Sequence, residues 1–181
     1  MTIREVAREA YREGLPALSG SAVGGLLAGV VLSGMRAEFK AVPGLLVLVP
    51  ALLATRGNVY GSLGARVATA LHQGLIEPSL HDYDERLQAA VAAAIGNGLL
   101  ASVFAAVVAF LVLRWLGSGP APLWMLASIA LLAGVLSGIV LSIVVLAVVF
   151  AGYRRGYNPD TLVGPIVTTA GDVFGVTFLL L

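Results

Sequence analysis

The sequence predicts an all-α integral membrane protein with five transmembrane helices preceded by a short amphipathic helix. Three observations carry that expectation. Of 181 residues, 59% are hydrophobic and only 12% are charged. An ordinary soluble domain holds about 25% charged residues, so this chain has too little polar surface to coat a globule in water. Mean hydropathy is +0.95. The apolar residues also gather into five stretches of the length a helix needs to cross hydrocarbon, about 20 residues at 1.5 Å rise each.

The first 14 residues stand apart from the rest. Arg4, Arg8 and Arg12 alternate with Glu5, Glu9 and Glu13 at spacings of four, among apolar Ile3, Val6, Ala7 and Ala10. That pattern is an amphipathic helix with charge pairs one turn apart, suited to the membrane surface. Residues 1–14 are therefore read as a cytoplasmic lead-in and residues 15–181 as the membrane domain. The first span, 15–35, is too long for the apolar region of a cleaved signal peptide, which ends within about 15 residues; it is expected to be retained.

The second stretch, 42–76, would reach about 52 Å as a straight helix, well beyond a hydrocarbon core of about 30 Å. It has to kink, tilt or project, and Pro43, Pro50 and Gly57, Gly61 and Gly64 supply places for that. The remaining spans are 87–113, 123–149 and 160–181. Glycine pairs four apart, Gly20/Gly24, Gly25/Gly29, Gly57/Gly61 and Gly134/Gly138, favour close helix approach in lipid.

Positive residues prefer the cytoplasmic side. The N-terminus, second loop and fourth loop hold Arg4, Arg8, Arg12, Arg86, Arg154 and Arg155, against Arg36, Lys40 and Arg114 in the other two loops. With five spans this puts the N-terminus in the cytoplasm and the C-terminus outside, in a multi-pass protein of the cell membrane.

Several function classes drop out early. Eleven Lys and Arg against ten Asp and Glu leave a net charge of +1, without the basic patch of a nucleic-acid binder. The absence of Cys excludes disulfides, thiolate metal sites and Cys nucleophiles. His72 and His81 lack ligand-spaced partners, and the acidic run His81, Asp82, Asp84 and Glu85 reads as a solvated loop. No nucleophile with its base is visible, so the chain is not expected to be an enzyme. Asn97, Ser137 and Ser142 read as interhelical hydrogen bonders.

Asp172 is the residue that composition does not account for. It lies about 12 residues into the last span, about 18 Å from its cytoplasmic end. A carboxylate there costs on the order of 3 kcal/mol to insert, so it should face a partner, a cavity or an ion. Helical spacing sets it on a small, polar face with Thr161, Gly164, Thr168 and Gly175. Pro165 and Gly171 loosen the backbone ladder nearby. The alternative is that Asp172 pairs with Arg56 or Arg66 as structural glue. A second stripe, Asn58, Ser62, Arg66, Thr69 and Gln73, shares one face of the second span and suits a water-lined wall, its Thr69–Gln73 end projecting into solvent. Asn58, about 24 Å from the outer end, would sit nearer the cytoplasm than Asp172, and the two would mark successive positions along one path.

Carboxylate, amide, hydroxyl and carbonyl oxygens are hard donors, the set that Mg²⁺ and Ca²⁺ prefer. One Asp per chain is thin for a cage; two chains meeting at Asp172 would supply two carboxylates.

The last span reads Asn158-Pro159-Asp160, Gly164-Pro165, Thr168-Thr169 and Asp172-Val173-Phe174-Gly175. It resembles the final helix of the MgtE magnesium transporters. The second span resembles that family as well, through Pro50 and Gly57-Asn58. The run from Gly57-Asn58 through Arg66, Thr69 and Ala70, with Asn-Pro-Asp and Gly171-Asp172, is closer to the branch that includes solute carrier family 41. The resemblance implies an MgtE-like membrane domain that moves Mg²⁺, with Mn²⁺ or other divalent cations also possible cargo. It implies a path lined by the second and fifth spans at a two-fold interface, with Asp172 as the central metal-binding carboxylate. Asn58, Thr168 and Thr169 would complete the metal set, and Ser62, Gly164, Gly175 and Thr161 would line the path. The animal branch joins two five-span halves in one chain, so a single half implies a homodimer or a heterodimer with a second half, in a lipid bilayer. The cytoplasmic sensor modules of MgtE are not carried over, and Arg56 and Arg66 bring positive charge near the route. The competing reading is a non-transporting scaffold or a regulatory half-subunit of a heteromeric transporter.

Overall fold

A computed structural model describes residues 3–78, 84–157 and 159–180, with the side chains of 3–10, 13, 17 and 159–161 left aside. His81, Asp82, Asn158 and the Thr161 side chain thus lie outside the described residues. The described residues form six helices: α1 (Ile3–Gly34), α2 (Arg36–Ala41), α3 (Leu45–His72), α4 (Glu85–Trp115), α5 (Leu123–Arg154) and α6 (Pro159–Thr177). Four of them, α1 over Gly14–Gly34 together with α3, α4 and α5, are long and apolar enough to cross a membrane. The apolar part of α6, Leu162–Thr177, is shorter.

Two boundaries differ from the sequence expectation. The loop expected around Arg36 and Lys40 contains the six-residue α2. The long second stretch is trimmed at both ends to the 28 residues of α3, because Gly44 breaks the chain before it and Gln73 and Gly74 turn it after; at about 42 Å it still exceeds a core of about 30 Å and has to tilt or project. Gly44 has φ +108 and a Cβ there would meet Leu113 Cδ1 at 3.0 Å, so both backbone and packing require glycine. The lead-in and first span form one continuous helix, α1. At the start of α4, Asp84 accepts from the Arg86 and Leu87 backbone N–H groups at 2.8 and 3.4 Å, an N-cap of the usual kind.

α6 is sandwiched, with α1 on one side and α3 and α5 on the other, while α4 closes against α3 and α5. Among the described residues the α1 backbone does not come close to that of α3, α4 or α5, and only side chains such as Ala28, Val31 and Leu32 join the apolar cluster those helices share. Large apolar side chains such as Leu26, Val30, Leu100, Phe104 and Ile143 remain exposed, as expected of a surface facing lipid.

The interior divides into two apolar clusters. One joins Leu48 and Leu52 of α3, Ala106 and Ala109 of α4, Ala130 and Ala133 of α5 and Val176 of α6. The other joins Leu63 and Val67 of α3, Ala94 of α4, Val145 and Val149 of α5 and Val167 of α6. Between them, halfway along the bundle, lies a layer with the buried polar residues Arg56, Ser102 and Ser137. Ser102 donates to Gly98 O at 2.8 Å, Ser142 donates to Gly138 O at 2.8 Å, and Ser137 donates to Ala133 O. Ser137 and Ser142 were expected to bond across helices; like Ser102, each instead satisfies a carbonyl one turn back on its own helix, the nearest acceptor to a short hydroxyl.

Close approach rather than cross-bonding holds this layer together. A Cβ on Gly138 would collide with the Tyr60 hydroxyl, and one on Gly134 would lie 3.0 Å from Ser102 Oγ. The glycine pair on α5 thus admits α3 and α4. Replacing Gly138 with Leu should destabilise the bundle by about 1–3 kcal/mol through overpacking, lowering the thermal unfolding midpoint in detergent. An unchanged midpoint would mean that α3 and α5 do not meet at this glycine.

Candidate functional site

Three close approaches fix the register of α6 on α3. A Cβ on Gly64 would collide with Val163, one on Gly57 would lie 3.8 Å from Thr168 Oγ1, and one on Gly175 would collide with Arg56 Nη1 and lie 2.8 Å from Leu53 Cδ2. Numbers fall along α3 as they rise along α6, so the two helices run antiparallel. Asp172 is level with the stretch of α3 between Leu53 and Gly57. On the other side of α6, a Cβ on Gly24 of α1 would collide with Thr169.

These contacts orient the polar face of α6. Thr168 marks the side toward α3 and Thr169 the side toward α1. At 3.6 residues per turn, Asp172 falls about 40° from the first and about 60° from the second. It therefore projects between α1 and α3, whose backbones stay apart among the described residues. Gly164 and Thr168 on this strip are exposed, Asp172 is half-buried and Gly175 is buried. Thr161 occupies the same strip by position.

The oxygens there are hard donors. Thr168 Oγ1 donates to Gly164 O at 2.9 Å and Thr169 Oγ1 donates to Pro165 O at 2.7 Å. With each hydroxyl proton committed to the backbone, the oxygen lone pairs remain for a cation. Pro165 has no N–H, so the Thr161 carbonyl one turn back lacks its helical donor. Among the described residues no three His, Asp or Glu side chains converge, and Asp172 is a single carboxylate within one chain.

The stripe Asn58, Ser62, Arg66, Thr69 and Gln73 is exposed along its whole length, so its members share one face of α3. Asn58, Ser62 and Arg66 line a cavity of about 230 Å³ between α3 and α4, opposite Ala90, Ala93 and Asn97. Asn58 lies near Asp172 in depth, next to Gly57 at the level of Thr168. It opens on a different groove, however. One chain thus brings Asp172, Thr168 and Gly164 together and holds Asn58 and Ser62 apart from them. Asn97, read from sequence as a helix-to-helix bonder, instead faces this cavity. The signal for it was an amide in the middle of an otherwise apolar span.

Arg56 is the residue whose place the sequence did not reveal. It is 3% exposed, and none of its three guanidinium nitrogens has a hydrogen-bond partner among the described residues. Asp172 is therefore not clamped to it in this structure. His72, at the end of α3, is bonded through Nδ1 to Ala68 O at 2.7 Å and packs edge-on against Tyr153 at 5.5 Å. The ring contact ties α3 to α5 and makes His72 a packing residue.

Comparison with known proteins gives a consistent family. Residues 49–181 match MgtE, described as a divalent cation transporter. The chain is similar to solute carrier family 41 member 2 of Mus musculus, 29% identical over 150 residues, covering 78% of this chain and 25% of that protein. It is 28% identical over the same length, with the same coverage, to the proteins of that name from Xenopus laevis and Homo sapiens. The chain thus spans about a quarter of the length of these relatives. No solved structure matches it.

The α3–α4 cavity should hold water, and because the chain has no cysteine a single introduced thiol reports on it directly. Ser62→Cys should react with a small charged thiol reagent about tenfold or more faster than Leu63→Cys, whose side chain is buried, as read by mass spectrometry of the labelled protein. Equal rates would mean that the cavity is dry or closed by a partner.

Proposed function

Since the chain belongs to the MgtE family of divalent cation transporters, we propose that it carries divalent cations, Mg²⁺ foremost, across a membrane along the polar strip of α6. The observation that carries this reading is Asp172, a half-buried carboxylate within a short helix, on a strip between α1 and α3 where Gly164 and Thr168 are exposed. Such a charge is tolerated in a membrane when it serves a cavity or an ion. The donors beside it are the Thr168 and Thr169 hydroxyls and a Thr161 carbonyl freed by Pro165. That all-oxygen set suits a hard cation that keeps several of its waters.

In this reading α6 is the fifth span. Its apolar part, 16 residues long, reaches about 24 Å, less than the usual core of about 30 Å. A short span thins the local bilayer and shortens the distance over which the ion lacks bulk water. The Lys and Arg distribution orients the N-terminus to the cytoplasm and the C-terminus outside.

A second five-span unit completes the path. Gly164 and Thr168 on the α6 strip are exposed, and a two-fold partner would bring a second Asp172 opposite the first. Two carboxylates balance one dication, as in charged rings that select cations. The same apposition would bring the α3 faces of the two units together and let Asn58 and Ser62 line the approach on the cytoplasmic side of Asp172. A homodimer in the cell membrane is the simplest assembly.

Reconstitution into liposomes tests the proposal. Asp172→Asn should lower Mg²⁺ or Mn²⁺ flux at least about tenfold, equivalent to about 1.4 kcal/mol of lost stabilisation, while the variant still assembles by size-exclusion chromatography. A scaffold would show no flux in either protein, and wild-type flux in Asp172→Asn would place the path elsewhere.

A further inference from the structure

A guanidinium stays protonated in proteins, and one buried without acceptors is costly. Arg56 is in that position, with its three nitrogens unpartnered and 3% of its surface exposed. A charge so placed requires a counter-charge in some state of the protein. Among the described residues Glu38 lies on the six-residue α2 near the start of α3, and Asp172 is the carboxylate within the interior of a long helix packed against α3 at the level of Arg56.

The Arg56 side chain runs alongside α6. Its Cβ is 4.0 Å from where a Cβ of Gly171 would stand, and its Nη1 occupies the space a Cβ of Gly175 would need. Asp172 follows Gly171 and precedes Gly175 by three residues, so its carboxylate is at the level the side chain spans, on the adjoining strip of the same helix. The missing side chain at Gly175 forms a resting place for the guanidinium away from the carboxylate.

We propose that Arg56 is a tethered cation: it neutralises Asp172 when no ion is bound, and an arriving divalent cation displaces it to the niche at Gly175. The inference rests on the reading of Asp172 as the ion's seat. The exchange keeps the carboxylate from standing uncompensated in hydrocarbon between ions. The displaced guanidinium, a like charge about one turn away, then favours release of the ion. A path conducts when its sites bind weakly enough to let go, and Arg56 supplies that weakening.

The test is Mn²⁺ binding to the purified full chain in nanodiscs, by equilibrium dialysis, for wild type, Arg56→Gln, Gly175→Ala, Asp172→Asn and the Arg56→Gln/Asp172→Asn pair. Arg56→Gln should bind Mn²⁺ about tenfold more tightly through loss of the competing charge, and this gain should vanish in the Asp172→Asn background. Gly175→Ala, which fills the niche and drives the guanidinium onto Asp172, should weaken binding. If Asp172→Asn abolishes binding while Arg56→Gln and Gly175→Ala leave the wild-type affinity unchanged, the tethered-cation proposal is overturned and the cation seat stands. If Asp172→Asn binds Mn²⁺ like wild type, the seat itself is wrong and the proposal falls with it. Should Arg56→Gln fail to fold, Gly175→Ala decides alone, and unchanged affinity there counts against the proposal.

Discussion

A chain surrounded by hydrocarbon has no water with which to satisfy its polar groups, and everything else in this structure follows from that constraint. Backbone groups are paired within long helices. Buried serine hydroxyls, and threonine hydroxyls on α3 and α6, turn back to carbonyls on their own helix. Two charges in the middle of the bundle, Arg56 and Asp172, escape this local accounting. A side chain cannot satisfy a full charge from its own helix as a hydroxyl satisfies itself, so their placement points to something beyond the static fold: an ion, each other, or both in turn.

Glycine determines how near those charges come. Gly64 and Gly175 are the points where α3 and α6 come too close to admit a further side chain, and Gly24 does the same for α1. Without them α6 would stand off from α3 and the guanidinium of Arg56 would have no niche. The two apolar clusters above and below the polar layer keep the helices in register at each end. The middle can then hold groups that hydrocarbon would otherwise reject. The arrangement also explains why α6 can be short: α1, α3 and α5 flank it, and it contacts lipid over only part of its surface.

The polar face of α6 was legible from sequence because helical periodicity is a local rule. Thr161, Gly164, Thr168 and Asp172 fall on one strip whatever the helix packs against. The stripe on α3 was legible for the same reason, and Asn58, Ser62 and Arg66 do share one exposed face. Which groove each face opens on was not legible. Asn58 and Asp172 are near in depth, yet one side faces α4 and the other lies between α1 and α3, a difference fixed by the rotation of each helix about its own axis. Asn97 joined the Asn58 cavity for that reason too.

By itself the sequence determined that this chain is a helical membrane protein of the MgtE type, that its helices are rich in close-packing glycine, and that one carboxylate lies in the middle of the last helix. Those properties depend on composition, on spacing along a single helix, and on motifs read residue by residue. Only the tertiary structure decided that the α1 backbone packs closely on α6, that the core splits around a polar layer, and that Arg56 points inward with no hydrogen-bond partner among the described residues. Each depends on which helix faces which. That choice is made by the summed fit of many side chains across interfaces, and no spacing within one segment encodes it.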